Sequence, residues 1–318
     1  MKLVFITTRD VACQGDHLEN SILHGLRTLM GPSCIDFPRK KVMYHDWSHT
    51  PKESLHGRGF TLYTTPLQDI NQKDRSLEGV DAILYGVSNI YGETNYPEID
   101  KLVPPENIFY LDGHDLYGEA PNKALVDGEL IIVNQKNNCF KRELVIEDPC
   151  VWPTGFGIPK DHIRGFDFAQ KKQLHQKTAP DDALFKSVQD VGGGASHHVF
   201  TNEEEYYDDL ASSWFGLTCK KGGWDCLRVY ETLAAGSLLL FKDYHSKPPL
   251  CSPQGLPCFS YSSAEELENL FNSLIIQGKP TKEYIEMLLL QRQWLWRHGT
   301  TEARALHILR TINEQLSS

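Results

Sequence analysis

Lys220, Lys221, Gly222 and Gly223 stand in a row, followed shortly by Arg228, Tyr230 and Glu231. Cations and side-chain-free backbone just ahead of a helix start suit a phosphate, because free N–H groups and the positive dipole end point at an anion. Glu231 falls inside the helix, where a carboxylate needs either solvent or a partner. The same residues also fit a ligand-free account: solvated lysines, a tight Gly-Gly turn, and a helix glutamate paired with Arg228 or Lys221.

A second constellation follows another apolar run. Asp112, His114 and Asp115 come directly after Ile108 to Leu111 and should open toward a ligand edge, where a histidine beside carboxylates can act as a base for a hydroxyl. A hydrogen-bonded turn capped by Asp112 explains them as well. Asp16 and His17 form a further pair at a first loop and helix, where Asp16 doubles as a helix cap with Glu19 in capping-box register. Phe140-Lys141-Arg142-Glu143 places two cations beside an apolar run, to meet an anion or form a surface ion pair. Gly192-Gly193-Gly194 before His197 and His198 lacks the strand-to-helix setting of a dinucleotide loop.

These residues need a scaffold that puts strand ends and helix starts together. Trp214 to Thr218 is short and apolar, as a covered strand should be. Leu227, Tyr230, Leu233 and Ala234 recur at helical spacing, Gly236 can close that helix with a left-handed turn, and Ser237 to Phe241 begins a strand. The segment is a βαβ unit. Lys2 to Thr7, Cys34 to Phe37, Asp81 to Gly86 and Asn107 to Asp112 are further strand candidates, with Glu129 to Val133 and Leu144 to Ile146 weaker ones. A helix from about Gly15 draws its apolar face from Leu18, Ile22, Leu23, Leu26 and Leu29. Trp152 to Pro159, rich in proline and glycine, suits an interdomain crossing, and Tyr284 to Leu316 is helical with a break at His298 to Thr301.

Tyr230-Glu231-Thr232-Leu233-Ala234-Ala235-Gly236 before an apolar strand resembles the donor-site signature of GT-B-fold glycosyltransferases. The lead-in helix with Tyr206, Tyr207, Leu210 and Ser213, and the stretch Leu256 to Leu267, are similar to the same family. The likeness covers about residues 197 to 310. It implies an α/β architecture of two Rossmann-like domains facing a central cleft: residues 1–155 for the acceptor, and 156–318 for the donor with a terminal helix crossing back. It also implies a nucleotide-sugar donor, a UDP-sugar by expectation, contacted by Lys220, Lys221, Gly222, Gly223, Arg228, Tyr230 and Glu231, with Asp112, His114, Asp115 and Asp16 as catalytic candidates. No cofactor or metal is implied, and no D-x-D pair of the kind that holds a divalent ion in the GT-A fold occurs in the chain. One departure is Gly223, eight positions before Glu231, where many retaining members carry an acid. That gap and the short C-terminal half are similar to compact members that glycosylate DNA in tailed phages. The expected acceptor therefore leans to a hydroxymethylated base such as 5-hydroxymethylcytosine. A saccharide or cell-surface glycan acceptor, a sugar-nucleotide epimerase of the same fold and a non-catalytic nucleotide-sugar sensor are the alternatives.

Composition narrows the field. Across 318 residues, 40% hydrophobic and 23% charged content describes an ordinary globular protein, and a net charge of −10 speaks against a nucleic-acid-coating surface. Basic clusters at Arg39-Lys40-Lys41, Lys171-Lys172 and Lys220-Lys221 leave room for a local basic track. No run approaches the roughly 18 apolar residues of a membrane span. Eight cysteines without a C-x-x-C pair indicate neither zinc nor a disulfide framework, so a reduced cytoplasm is expected, that of the host if the source is viral.

Overall fold

The computed structural model describes residues 1–7, 17–44, 51–70, 75–86, 96–113, 123–126, 129–132, 138–145, 147–177 and 199–317. The chain divides into two compact units: Met1–Pro159 with Pro248–Gln254 and Thr300–Ser318, and Lys160–Lys247 with Gly255–Gly299.

Unit one is built on β1 (Leu3–Ile6), β2 (Cys34–Phe37), β3 (Ala82–Tyr85), β4 (Ile108–Asp112), β7 (Cys139–Lys141) and β8 (Val151–Pro153). They pair in the order β2-β1-β3-β4-β7-β8, every pair parallel. Every residue of β1 and β3 is buried, the pattern of strands covered on both faces. Helix α1 (His17–Met30) follows β1, and the short α2 (Pro97–Asp100) packs Ile99 into a cluster with Val4, Ile6, Ile83, Tyr85 and Ile108. Strand order reverses between β1 and β3, so their C-terminal ends form the crevice where open α/β sheets take ligands.

Two sequence expectations change here, and the weaker strand candidate at Glu129 holds. Leu29 does not join the apolar face of α1 but stays 45% exposed, because the last turn of the helix runs on into the Gly31–Ser33 turn. Leu144 and Val145 are not a strand: the chain turns at Arg142 and Glu143, whose buried charged groups pair with each other, and the next strand is β8. The expected strand at Glu129 forms β6 (Glu129–Ile132), which leaves the main sheet and pairs antiparallel with β5 (Lys123–Val126). The glycines beyond Trp152 serve close packing, since a Cβ on Gly157 would lie 3.0 Å from the Thr301 backbone.

Unit two carries β9 (Gln173–His175), β10 (Ser213–Thr218), β11 (Leu238–Lys242) and β12 (Phe259–Tyr261), all parallel, in the order β12-β11-β10-β9. Helix α3 (Glu203–Ser212) joins β9 to β10, and α4 (Leu227–Ala235) joins β10 to β11. Gly236 ends α4 at φ 81°, its N–H returning to the carbonyls of Thr232 and Leu233, the left-handed stop expected from the sequence. Gly216 lets α4 lie close on β10: a Cβ there would meet Thr232 Cγ2 at 2.1 Å. Helices α5 (Ala264–Leu274) and α6 (Lys282–Trp294) bury Leu267, Phe271, Tyr284 and Leu288 with Phe215 and Leu217 in one core. Between them β13 (Ile275–Ile276) and β14 (Lys279–Pro280) form a short hairpin.

A π-turn at Leu295–Gly299 ends α6, and Thr300 caps the terminal helix α7 (Thr301–Leu316) by accepting from Ala303 N–H. This helix belongs to unit one, where it lies on α1. Gly25 of α1 admits it, since a Cβ there would stand 2.0 Å from the Thr301 carbonyl oxygen. Among the described residues no helix is long and apolar enough to cross a membrane.

Candidate functional site

In unit two the candidate residues gather where β10 ends and α4 begins. Lys220 and Lys221 are exposed beyond the buried end of β10, and the Lys221 N–H donates to the Gly223 carbonyl at 3.2 Å. Gly222 is exposed and Gly223 buried in the same turn. Helix α4 does not start directly after the glycines: Trp224, Asp225 and Cys226 intervene, with Cys226 as the N-cap residue and no side-chain cap bond. Trp224 is buried against Phe241 at 5.9 Å between ring centroids, and the Lys220 ammonium stands 5.6 Å above the Trp224 ring.

The α4 side chains then divide by face. Tyr230 is fully buried, its ring 5.9 Å from Trp294, and its hydroxyl donates to Asp225 at 2.8 Å. A side chain without exposed surface does not reach a ligand, so Tyr230 leaves the set of donor-contact candidates and instead holds Asp225. Asp225, itself 4% exposed, is thereby tied into the loop and does not stand in for the acid missing at Gly223. Glu231 keeps 7% of its surface open and accepts a hydrogen bond of 2.6 Å from the Tyr206 hydroxyl of α3. Its partner is thus a tyrosine from another helix, where Arg228 or Lys221 was the ligand-free expectation.

Arg228, in the first turn of α4 and half-buried, makes no hydrogen bond or ion pair with a described residue. Its charge is felt nearby. Burial raises the Tyr206 hydroxyl well above its ordinary pKa, the Glu231 carboxylate adds to the rise, and Arg228 partly opposes both. Burial likewise raises the Cys226 thiol, with Arg228 acting against it. A guanidinium without a carboxylate partner, at a helix N-terminus and beside a held carboxylate, is an arrangement that can take a phosphate and a diol together.

In unit one, Asp112 ends β4 with 3% exposure, and the Lys141 ammonium stands 2.5 Å from its Oδ2. Arg142 donates through Nε and Nη2 to the Gly113 carbonyl at 3.1 and 2.9 Å and stacks over Phe156 at 4.8 Å. His17 meets Phe156 edge-on at 6.1 Å. A buried carboxylate closed by an ammonium stabilises the turn after β4, and taking a proton from an acceptor would break that pair. The structure therefore gives Asp112 a supporting place. Phe140-Lys141-Arg142-Glu143 forms buried pairs where a surface ion pair was the ligand-free reading. His114, Asp115 and Asp16, with Gly192 to His198, lie outside the described residues.

Tyr206 is the residue that sequence reading placed only in a lead-in helix. Its distance of 25 positions from Glu231 leaves no local spacing signal to join them.

Two parallel α/β units, with the last helix returned to the first, define a protein of the GT-B fold, the fold of many glycosyltransferases. Two solved structures align along the whole chain. The glycosyltransferase of Rickettsia africae ESF-5 has a TM-score of 0.56 at 8% identity, covering 100% of this chain and 99% of its own. AviGT4, a glycosyltransferase involved in avilamycin A biosynthesis, has a TM-score of 0.52 at 11% identity, covering 100% of this chain and 98% of its own. In sequence, the chain is similar to the alpha-1,6-mannosylglycoprotein 6-beta-N-acetylglucosaminyltransferase of Caenorhabditis elegans, 25% identical over 268 residues. That match takes in 79% of this chain and spans 38% of the relative's length. No protein-family model matches the chain.

Proposed function

We propose that the protein is a glycosyltransferase that moves a sugar from a nucleoside-diphosphate sugar to a hydroxyl acceptor. The observation that carries this reading is the pair on one turn of α4: Glu231, held by Tyr206 with part of its surface open, and Arg228, which pairs with no carboxylate among the described residues. In this reading Glu231 takes the ribose diol, and Arg228, Lys220 and Lys221 face the diphosphate, UDP by preference. As the bond from the anomeric carbon to phosphate oxygen breaks, these cations and the first N–H groups of α4 offset the growing negative charge, without calling on a metal. The acceptor hydroxyl loses its proton to a base of unit one, for which His114, Asp115 and Asp16 remain the candidates.

A saccharide hydroxyl is the favoured acceptor, supported by the sequence likeness to an enzyme named for action on a mannosylglycoprotein. The described cysteines are all free thiols, which supports a reducing, cytoplasmic setting. The test incubates the protein with a panel of nucleotide-sugars and two acceptor pools, mixed oligosaccharides and 5-hydroxymethylcytosine DNA, and reads mass added to each. Hexose or N-acetylhexosamine mass on saccharide, lost in Glu231→Ala, is the expected result. Mass on DNA nucleosides would replace the saccharide acceptor by a modified base. Donor binding without product in either pool would overturn transfer in favour of an epimerase or a sensor.

A further inference from the structure

A glutamate on a helix has three side-chain torsions, and a carboxylate free to swing reads a diol poorly. Both hydroxyls must meet lone pairs in one plane at once, so the group has to be held before the ligand arrives. On α4 nothing in the Glu231 backbone does this. The Tyr206 phenol does, at 2.6 Å from Oε2.

The phenol is itself seated by a separate element. Asn202 caps α3 by accepting from the N–H groups of Glu204 and Glu205 at 2.8 and 3.3 Å, and its carbonyl accepts from Tyr206 N–H at 3.2 Å. Phe200 and Tyr207 flank the Tyr206 ring at 5.8 and 5.5 Å between centroids. With 3% of its surface exposed, Tyr206 leaves water little access to compete for the carboxylate. A phenol can donate one hydrogen bond only, so it orients one oxygen of Glu231 and takes up a single lone pair of the carboxylate. Burial keeps that phenol protonated far above neutral pH, so the contact persists across the working range.

We infer that Tyr206 is a positioning residue that makes unit two selective for ribonucleotides over nucleotides lacking ribose hydroxyls, by fixing the Glu231 carboxylate against the diol. This rests on the donor-site reading of Glu231. It extends that reading, because the selectivity belongs to the α3–α4 contact and not to α4 alone. A site built to bind a hydroxyl rejects the analogue without it, since its acceptor is left unpaired.

The test is calorimetric titration of the full chain with UDP, GDP and ADP and with their 2′,3′-dideoxy counterparts, on wild type, Tyr206→Phe and Glu231→Gln. Wild type should prefer the ribose form of its nucleotide by at least about 10- to 100-fold, the change expected when a charged acceptor loses a hydrogen bond. Tyr206→Phe should keep its affinity for the dideoxy form and lose most of that preference. Should Tyr206→Phe not fold, Phe200→Ala loosens the same ring without touching Glu231 and should lower the preference in the same direction. A full preference in these variants, or an equal loss of both ligand forms, would overturn the positioning role. Glu231→Gln separates the two ideas: a preference kept there would sink the donor-site reading itself, as would a wild type that binds none of the three ribonucleotides.

Discussion

Gly25→Ala sets two effects of opposite sign against each other. Alanine is the better helix former, by about 1 kcal/mol. Its Cβ, however, would stand 2.0 Å from the Thr301 carbonyl oxygen, 2.5 Å from the Thr301 carbonyl carbon and 2.9 Å from Ala305 Cβ. The first obstacle is backbone, so no rotamer change relieves it, and the start of α7 must move by more than an ångström. That start is anchored: Thr301 N–H donates to the Ile158 carbonyl at 3.0 Å, Thr301 Oγ1 bonds His24 Nδ1 at 2.9 Å, and Arg304 Nε donates to the Phe156 carbonyl at 3.0 Å. Overpacking of this kind costs about 1–3 kcal/mol, and a strained buried hydrogen bond adds about 1 kcal/mol. Against the helix gain, the net expectation is a loss of about 1–3 kcal/mol. Urea unfolding, with hydrogen exchange in α1 and α7 of unit one compared with α4 of unit two, measures it and identifies which unit opens. Gly165→Ala serves as control, because nothing lies within 4 Å of its Cβ position, and it should be neutral. A Gly25→Ala protein as stable as wild type would refute the close crossing of α1 and α7.

Lys171→Met tests the other unit through pH. The Lys171 ammonium donates to Ser213 O, Gly236 O and Ser237 Oγ at 2.6, 2.9 and 3.2 Å, and burial, then the Arg292 charge, pull its pKa down to about 7. Between that value and its ordinary 10.5 the unfolded chain holds a proton that the folded chain has lost, so this group's contribution to stability rises with pH. The wild-type curve should climb relative to Lys171→Met by up to about 1.4 kcal/mol per pH unit above neutrality, and parallel curves would refute the shift. The thiols of Cys34, Cys139, Cys226 and Cys258 act oppositely: desolvation raises all of them in the fold, so stability should fall as pH passes the ordinary thiol range near pH 9, in scans of wild type. Lys141→Met leaves the Asp112 carboxylate buried without its cation and should cost about 3–5 kcal/mol in urea unfolding, with Asp112→Leu in the same chain restoring part of it. A single variant as stable as wild type would deny the buried pair. Glu231→Ala should cut transferase turnover at least about 100-fold while leaving the melting temperature within a few degrees, and retained turnover would remove Glu231 from the site.

The sheet was legible because burial writes itself into composition. Leu3 to Ile6, Ala82 to Tyr85 and Leu238 to Phe241 are unbroken apolar runs since both faces of each parallel strand are covered. Leu144 and Val145 carry the same local signal and are not a strand: the chain turns at Arg142, which is held by the Asp112 and Gly113 carbonyls of a distant segment, contacts that no window of apolar residues contains. The π-turn at Leu295–Gly299 likewise has no pattern that announces it. The candidate site was legible as a face. Arg228 and Glu231 are three residues apart, so a helix brings them to one side, whereas Tyr230 sits about 100° round from Glu231, with the buried Leu227, Leu233 and Ala234. Arg228 and Glu231 thus share a side of α4 that Tyr230, fully buried against Trp294, does not present. What periodicity along α4 cannot supply is the group that meets Glu231 from outside. That contact depends on how α3 lies across α4, and it is the contact on which selectivity for a ribose diol turns.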